Sequence, residues 1–137
     1  MKLIVCTDLN NGMLFNNRRQ SKDKELINHI CNLINNEKLW ITSFSEDLFK
    51  DKINYNLILN EDFENIGEND FCFIENISLK LFEKNLDEII IYNWNRTYPA
   101  DTYLDISLEK WTLESEVDIE GSSHEKITQK IYKRGDK

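Results

Sequence analysis

Short apolar runs recur along this chain, and their spacing predicts a sheet with one substantial helix. Residues 2–7, K-L-I-V-C-T, form an apolar strand, followed by turn chemistry at Asp8-Leu9-Asn10-Asn11-Gly12. Leu26, Ile27, Ile30, Leu33 and Ile34 recur at helical spacing, which predicts a helix from an N-cap at Ser21 to about Asn35. Leu39-Trp40-Ile41-Thr42, Asn56-Leu57-Ile58-Leu59-Asn60 and Phe71-Cys72-Phe73-Ile74 predict three more strands. Between the first two of these, Ser45 is placed to cap a short helix over residues 46–50. Residues 77–84 predict a further helix with Leu81 and Phe82 facing inward. Ile89, Ile90 and Ile91 are an unbroken β-branched run, as in a strand buried on both faces. Trp111, Leu113, Ser115 and Val117 alternate with polar residues, as do Ile127, Gln129 and Ile131, and Glu120-Gly121-Ser122-Ser123 supplies a turn between them. The expected architecture is α/β, ending in an antiparallel strand pair beside an interior strand.

Composition narrows the class. A length of 137 residues suits one domain over 1–137, and 40% hydrophobic with 11% aromatic content suits a folded globule. A formal charge of -8 argues against sequence-independent binding to nucleic acid or an anionic membrane, and suits a basic protein partner. Cys6, Cys31 and Cys72 lack metal-ligand spacing, so no metal is expected; Cys6 and Cys72 fall in strand-like runs, as small core residues do. No signal peptide or transmembrane-length run is expected, which points to the cytoplasm. Richness in asparagine, lysine and isoleucine suits an AT-rich genome, such as that of a low-GC bacterium or its phage.

Specific segments then carry a resemblance. The interior run at 89–91, Asp101-Thr102-Tyr103-Leu104, E-K-W-T-L-E-S-E at 109–116 and the closing I-Y-K-R at 131–134 resemble the C-terminal part of dihydrofolate reductase. Residues 56–60 are similar to that family's N-x-I-L-S strand, and the opening strand with Asp8 and Gly12 is similar to its N-terminal part. The resemblance implies a central, mostly parallel sheet flanked by helices, with NADPH as cofactor. It also implies site roles. Asp23, at the start of the helix, matches the acid that supports protonation of the pterin, with Ile27 one turn later and Val5 lining the same cleft. Gly12 matches the glycine that begins a mobile loop beside the cofactor. A carboxylate in an apolar cleft can hydrogen-bond a pterin and relay a proton. The structural alternatives are a first-turn acid favouring the helix's positive end for Asp23, and a φ > 0 turn residue for Gly12.

Departures from the family pattern cluster at the cofactor site. Asn16-Asn17-Arg18-Arg19-Gln20 stands where a Pro-Trp pair helps close the site. Thr42-Ser43-Phe44-Ser45-Glu46-Asp47 replaces the Met-Gly-Arg-x-Thr phosphate grip, putting acids where a 2′-phosphate needs positive charge. Ile74-Glu75-Asn76-Ile77 stands where Gly-Gly lets the pyrophosphate approach. Lys50 and Lys52 precede the 56–60 strand, without the arginine that grips a substrate carboxylate.

Since a fold persists while its site is rewritten, the sequence indicates a shortened, diverged dihydrofolate-reductase-like protein. It would lack normal NADPH-dependent activity, bind no cofactor, and be retained as a binding or interaction protein. The acidic connection at 61–70, with Glu61, Asp62, Glu64, Glu68 and Asp70, is then the surface for a basic partner; its bland reading is a solvated loop. The alternatives are an active NADPH-dependent reductase with Asp23 as proton-relay acid, and a pterin- or nucleotide-binding module. Trp40, Trp94 and Trp111 are expected as core or boundary aromatics and His29 as a boundary residue of the helix, while oligomeric state stays open.

Overall fold

The computed structural model describes residues 1–52, 56–63 and 65–134. Strand β1 (Lys2–Thr7) lies parallel to both β6 (Phe71–Phe73) and β7 (Glu88–Asn93), pairing Ile4 with Phe73 on one side and Ile90 on the other. Being flanked on both edges and covered on both faces, these three strands carry the continuous apolar runs that a parallel sheet requires. Outside β6 come β4 (Leu39–Ile41) and β5 (Leu57–Leu59), also parallel. Outside β7 come β10 (Ile127–Arg134) and β9 (Trp111–Ile119), both antiparallel. The order is therefore β5-β4-β6-β1-β7-β10-β9. A smaller antiparallel sheet, β3 (Arg18–Arg19), β2 (Gly12–Phe15) and β8 (Thr102–Tyr103), folds over one end.

The strand period divides the core in two. Ile4, Phe73, Ile90 and Tyr92 face helix α1 (Lys24–Ile34), which buries Leu26, Ile27, Ile30 and Ile34, and Phe49 of the single-turn helix α2 (Glu46–Phe49) joins them. Leu3, Val5, Ile89 and Ile91 face the opposite way, against Met13, Leu14, Leu79, Phe82 and Trp111. Trp40, Trp94 and Trp111 are all buried, as expected.

Several local expectations are corrected. Helix α1 is capped by Asp23 rather than Ser21: the Asp23 carboxylate accepts from Leu26 N. The Ser45 hydroxyl does not cap α2, since it donates to Glu75 at 2.6 Å. Residues 77–84 form no α-helix but two short 3-10 turns, Leu79–Leu81 and Glu83–Asn85. The Asp105 carboxylate starts the first turn by accepting from the Ser78 hydroxyl and Leu79 N. Arg134 donates to the carbonyls of Leu86 and Glu83, closing the second. Phe82 then points inward, whereas Leu81 is 78% exposed.

The largest correction concerns β9. Pairing with β10 shifts register between Leu113↔Tyr132 and Ser115↔Ile131, leaving Glu114 as an extra residue. A bulge reverses the alternation, because cross-strand partners share a face. Trp111 and Leu113 side with Tyr132, while Ser115 and Val117 side with Ile131 and Gln129. Being also the sheet's last strand, β9 leaves Leu113 and Val117 46% and 45% exposed, not half-buried on one face. Leu113→Thr and Val117→Thr are therefore expected to change stability by less than about 0.5 kcal/mol. Ile90→Ala, at the centre, is expected to cost about 2–5 kcal/mol. Urea unfolding of the three variants distinguishes this from a packed β9 face, for which Val117→Thr would cost well over about 1 kcal/mol.

Candidate functional site

The cleft lies beyond the C-terminal ends of β1 and β6, between α1 and the β2–β3 hairpin, with Trp94 as its far wall. Open α/β sheets place ligands at this position. The hairpin is made by Asn16 and Asn17, whose φ values of 51° and 60° give the two-residue turn geometry that matches strand twist. The turn brings Arg19 back over the cleft. Its guanidinium donates from Nε and Nη2 to the two oxygens of Glu75, both at 2.9 Å. It also reaches the Asp47 carboxylate at 3.1 and 3.3 Å and the Phe44 carbonyl at 3.1 Å, with Phe44's ring beneath it. The Ser45 hydroxyl completes Glu75, and the Thr42 hydroxyl donates to Asn76 Oδ1. Segments 16–20, 42–47 and 74–77 thus meet in one hydrogen-bonded network. What remains of the cleft is about 20 Å³, room for about one water, where small-molecule sites run to about 300 Å³ or more.

Asp23 lines this cleft, but its carboxylate turns towards the loop at 121–124. It accepts from the backbone amides of Leu26 (3.0 Å), Ser122 (3.0 Å) and Ser123 (2.8 Å) and from both serine hydroxyls. Burial pushes the carboxyl up, yet the amides of Ser122, Ser123 and Leu26, with His124, outweigh it and hold the group far below the ordinary range. Gly121 has to be glycine here: an added Cβ would sit 2.5 Å from Asp23 Oδ2 and 2.7 Å from the His124 carbonyl. His124 is itself buried, stacked on Trp94 with ring centres 4.6 Å apart. Its Nδ1 faces Asp23 Oδ2 at 3.3 Å and Ser123 Oγ at 2.9 Å, and its Nε2 lies 2.9 Å from the Tyr98 hydroxyl.

The other expected site residues separate. Ile27 lines the cleft, but Val5 points to the opposite core by strand alternation, and Cys6 takes the place expected for it. Burial and the neighbouring Glu75 push the Cys6 thiol up, keeping it protonated. Gly12 has no positive φ; Asn11 before it does, at 63°. The glycine is needed for close approach, since a Cβ would stand 2.7 Å from Ala100 Cβ. His29 is a boundary residue bonded to the buried Tyr92 hydroxyl. In the acidic connection, Glu61 accepts from Ser43 N, and Asp70 accepts from Trp40 Nε1 and Gly67 N. Those two therefore brace the loop. Glu61, Asp62 and Glu68 border a groove of about 860 Å³ together with Phe63, Ile66, Leu81 and Phe82. Glu64 lies outside the described residues. The sequence reading missed the pairing of Arg19 with Glu75 and the whole of the His124 cluster. Asn16-Asn17 was a legible hairpin signal for the first; a Ser-Ser-His run gives no comparable signal for the second.

No protein-family model and no curated protein matches the sequence. Among solved structures, the chain is similar to a dihydrofolate reductase from Enterococcus faecalis, complexed with NADP(H) and RAB-propyl. The TM-score is 0.70 at 11% identity, covering 98% of this chain and 96% of that chain. At that identity the likeness establishes the fold, and the chain has the dihydrofolate reductase fold.

The contribution of Asp23 to stability depends on pH with a definite sign. Asp23→Asn is expected to cost about 2–4 kcal/mol at neutral pH, because amide and hydroxyl donors lose a charged acceptor. The folded pKa lies below the unfolded value of about 3.9, so the contribution is complete above about pH 5 and drains away as pH falls towards the folded value. Urea unfolding across that range checks it: the gap between wild type and variant should narrow in acid, and a constant gap would contradict the assignment.

Proposed function

We propose that this protein is a diverged member of the dihydrofolate reductase fold that binds a partner and does not carry out NADPH-dependent reduction. The observation that carries this reading is the Arg19–Glu75 pair, with Ser45 and Asp47, standing in the cleft. The residues present do not fit the cofactor. Phosphates need bare backbone and positive charge; here Glu75 is in the glycine-pair position, Glu46 and Asp47 occupy the first turn of α2, and Arg19 is already held by carboxylates. Hydride transfer also needs two rings in near contact, and the remaining space holds neither. Titration with NADPH followed by nicotinamide fluorescence, with dihydrofolate then added, tests this. No binding at millimolar cofactor and no turnover are expected. Micromolar binding with turnover abolished by Asp23→Asn would instead establish the reductase alternative, with Asp23 as its proton-relay acid. Free thiols at Cys6, Cys31 and Cys72 favour a reducing, cytoplasmic setting. Among the described residues, no helix is long and apolar enough to cross a membrane.

For the partner, the acidic groove beside residues 61–70 is the surface that fits. Glu61 and Glu68 are on its rim, Phe63, Ile66 and Phe82 line it, and Leu81 stands exposed in it. A groove with an apolar floor and a rim on which Glu61, Asp62, Glu68 and Asp87 outnumber Lys84 complements an amphipathic basic segment. A helical peptide of alternating leucine and lysine turns is a suitable probe, measured by fluorescence anisotropy. Leu81→Ser and Glu68→Lys are each expected to weaken it about tenfold; equal binding by wild type and both variants would remove the groove from consideration.

A further inference from the structure

We propose that the outer edge of β9 takes up an extended segment of a partner protein as an additional strand, one in which basic residues alternate with apolar ones. Strand β9 ends the sheet, and among the described residues nothing pairs with its outer side. It runs for nine residues, and every side chain from 112 to 118 is exposed. An edge of that length presents a row of amides and carbonyls to which another chain can add. The bulge at Glu114 limits the usable part. Beyond it, residues 115–119 pair one to one with residues 127–131 and keep a regular edge.

The side chains of that stretch select the occupant. Alternation puts Glu116 and Asp118 on one face and Ser115 and Val117 on the other. The inner neighbour β10 shows what suits the acidic face: Lys130 stands opposite Glu116, and the Thr128 hydroxyl donates to Asp118 at 2.8 Å. The outer side has no such neighbour. Glu116 makes no hydrogen bond or ion pair among the described residues, and the Asp118 side chain stays 54% exposed, with Lys126 3.9 Å away. Residues 109–120 hold five acids against the single base Lys110. On β10, Lys133 is held by Glu88 and Arg134 by the carbonyls of Leu86 and Glu83, so Lys126 and Lys130 are the cations that compete. A strand added outside β9 lies about 4.8 Å from the acids and about twice that from β10. Opposite charges directly across a strand pair attract, and like charges repel. On the other face Val117, 45% exposed, offers an apolar side chain a partner. The fitting segment therefore sets two lysines or arginines around one apolar residue. This edge shares no residue with the acidic groove, so it stands or falls independently of that surface and of the NADPH titration.

Nuclear magnetic resonance of the full chain, titrated with a peptide of alternating lysine and valine, tests the proposal. Shift changes should centre on residues 115–119, and every second amide of that stretch should exchange more slowly with solvent, because only alternate amides point outward. The same peptide N-methylated at its bonding amides should bind about tenfold more weakly or worse. Glu116→Lys, at an exposed position, should weaken the unmodified peptide about fivefold or more, whereas Leu81→Ser in the groove should leave it unchanged. No change at β9 with millimolar peptide, or equal binding of the N-methylated peptide or by Glu116→Lys, would overturn it. So would loss of binding in Leu81→Ser, which assigns the peptide to the groove, or dimerisation of the free chain through β9, which assigns the edge to a second copy.

Discussion

A carboxylate removed from water has to be matched donor by donor, and two such groups, Asp23 and Glu75, set the geometry of this molecule's cleft. Asp23 gathers the start of α1 and the loop before β10, 99 and 100 residues further along the chain, around one pair of oxygens. Glu75 gathers β3 and the segment after β4 around another. Each acid is expensive to bury alone and becomes tolerable only when its partners are in place, so each acts as a latch on the elements that supply its donors. Between them they hold together the ends of β1, β6, α1 and the small sheet.

The same constraint links residues that look independent along the chain. Glu75 by itself would be a buried acid without donors; an arginine at 19 supplies the fork, a serine at 45 the remaining donor, and Asp47 shares the arginine's charge. Together they fill this end of the cleft with a hydrogen-bonded network. The cleft at the ends of these strands is internally satisfied, with about 20 Å³ left open.

Much of the sheet was legible in the sequence because it rests on local pattern. Ile89, Ile90 and Ile91 are continuous because β7 is flanked and covered on every side, and the helix periodicity of Leu26, Ile27, Ile30 and Ile34 is the stripe that α1 buries. Where the reading failed, a non-local partner had overridden the local signal. Ser45 has the chemistry of a cap, but a buried carboxylate lies closer; Ser21 could have capped α1, but Asp23 had three amides to satisfy. The bulge at Glu114 could not be seen because it is a property of two strands, and it inverts a periodicity that each strand taken alone obeys. For the site, Asp23 and Ile27 were found by position. The imidazole that links Asp23 to Tyr98 was not, since their separation in sequence is closed only by the fold.

The exposed strand β9 has a further consequence, for how the protein survives at high concentration. Its outer edge offers a row of unbonded amides and carbonyls, the template on which strands of other molecules add to form aggregates. Glu114, Glu116 and Asp118 are all exposed along that strand, and the bulge twists it out of the flat geometry that stacking requires. Two copies approaching edge to edge in antiparallel register would bring these acids together. Part of the chain's negative charge thus stands guard on an open sheet edge, tying colloidal stability to three side chains of one strand.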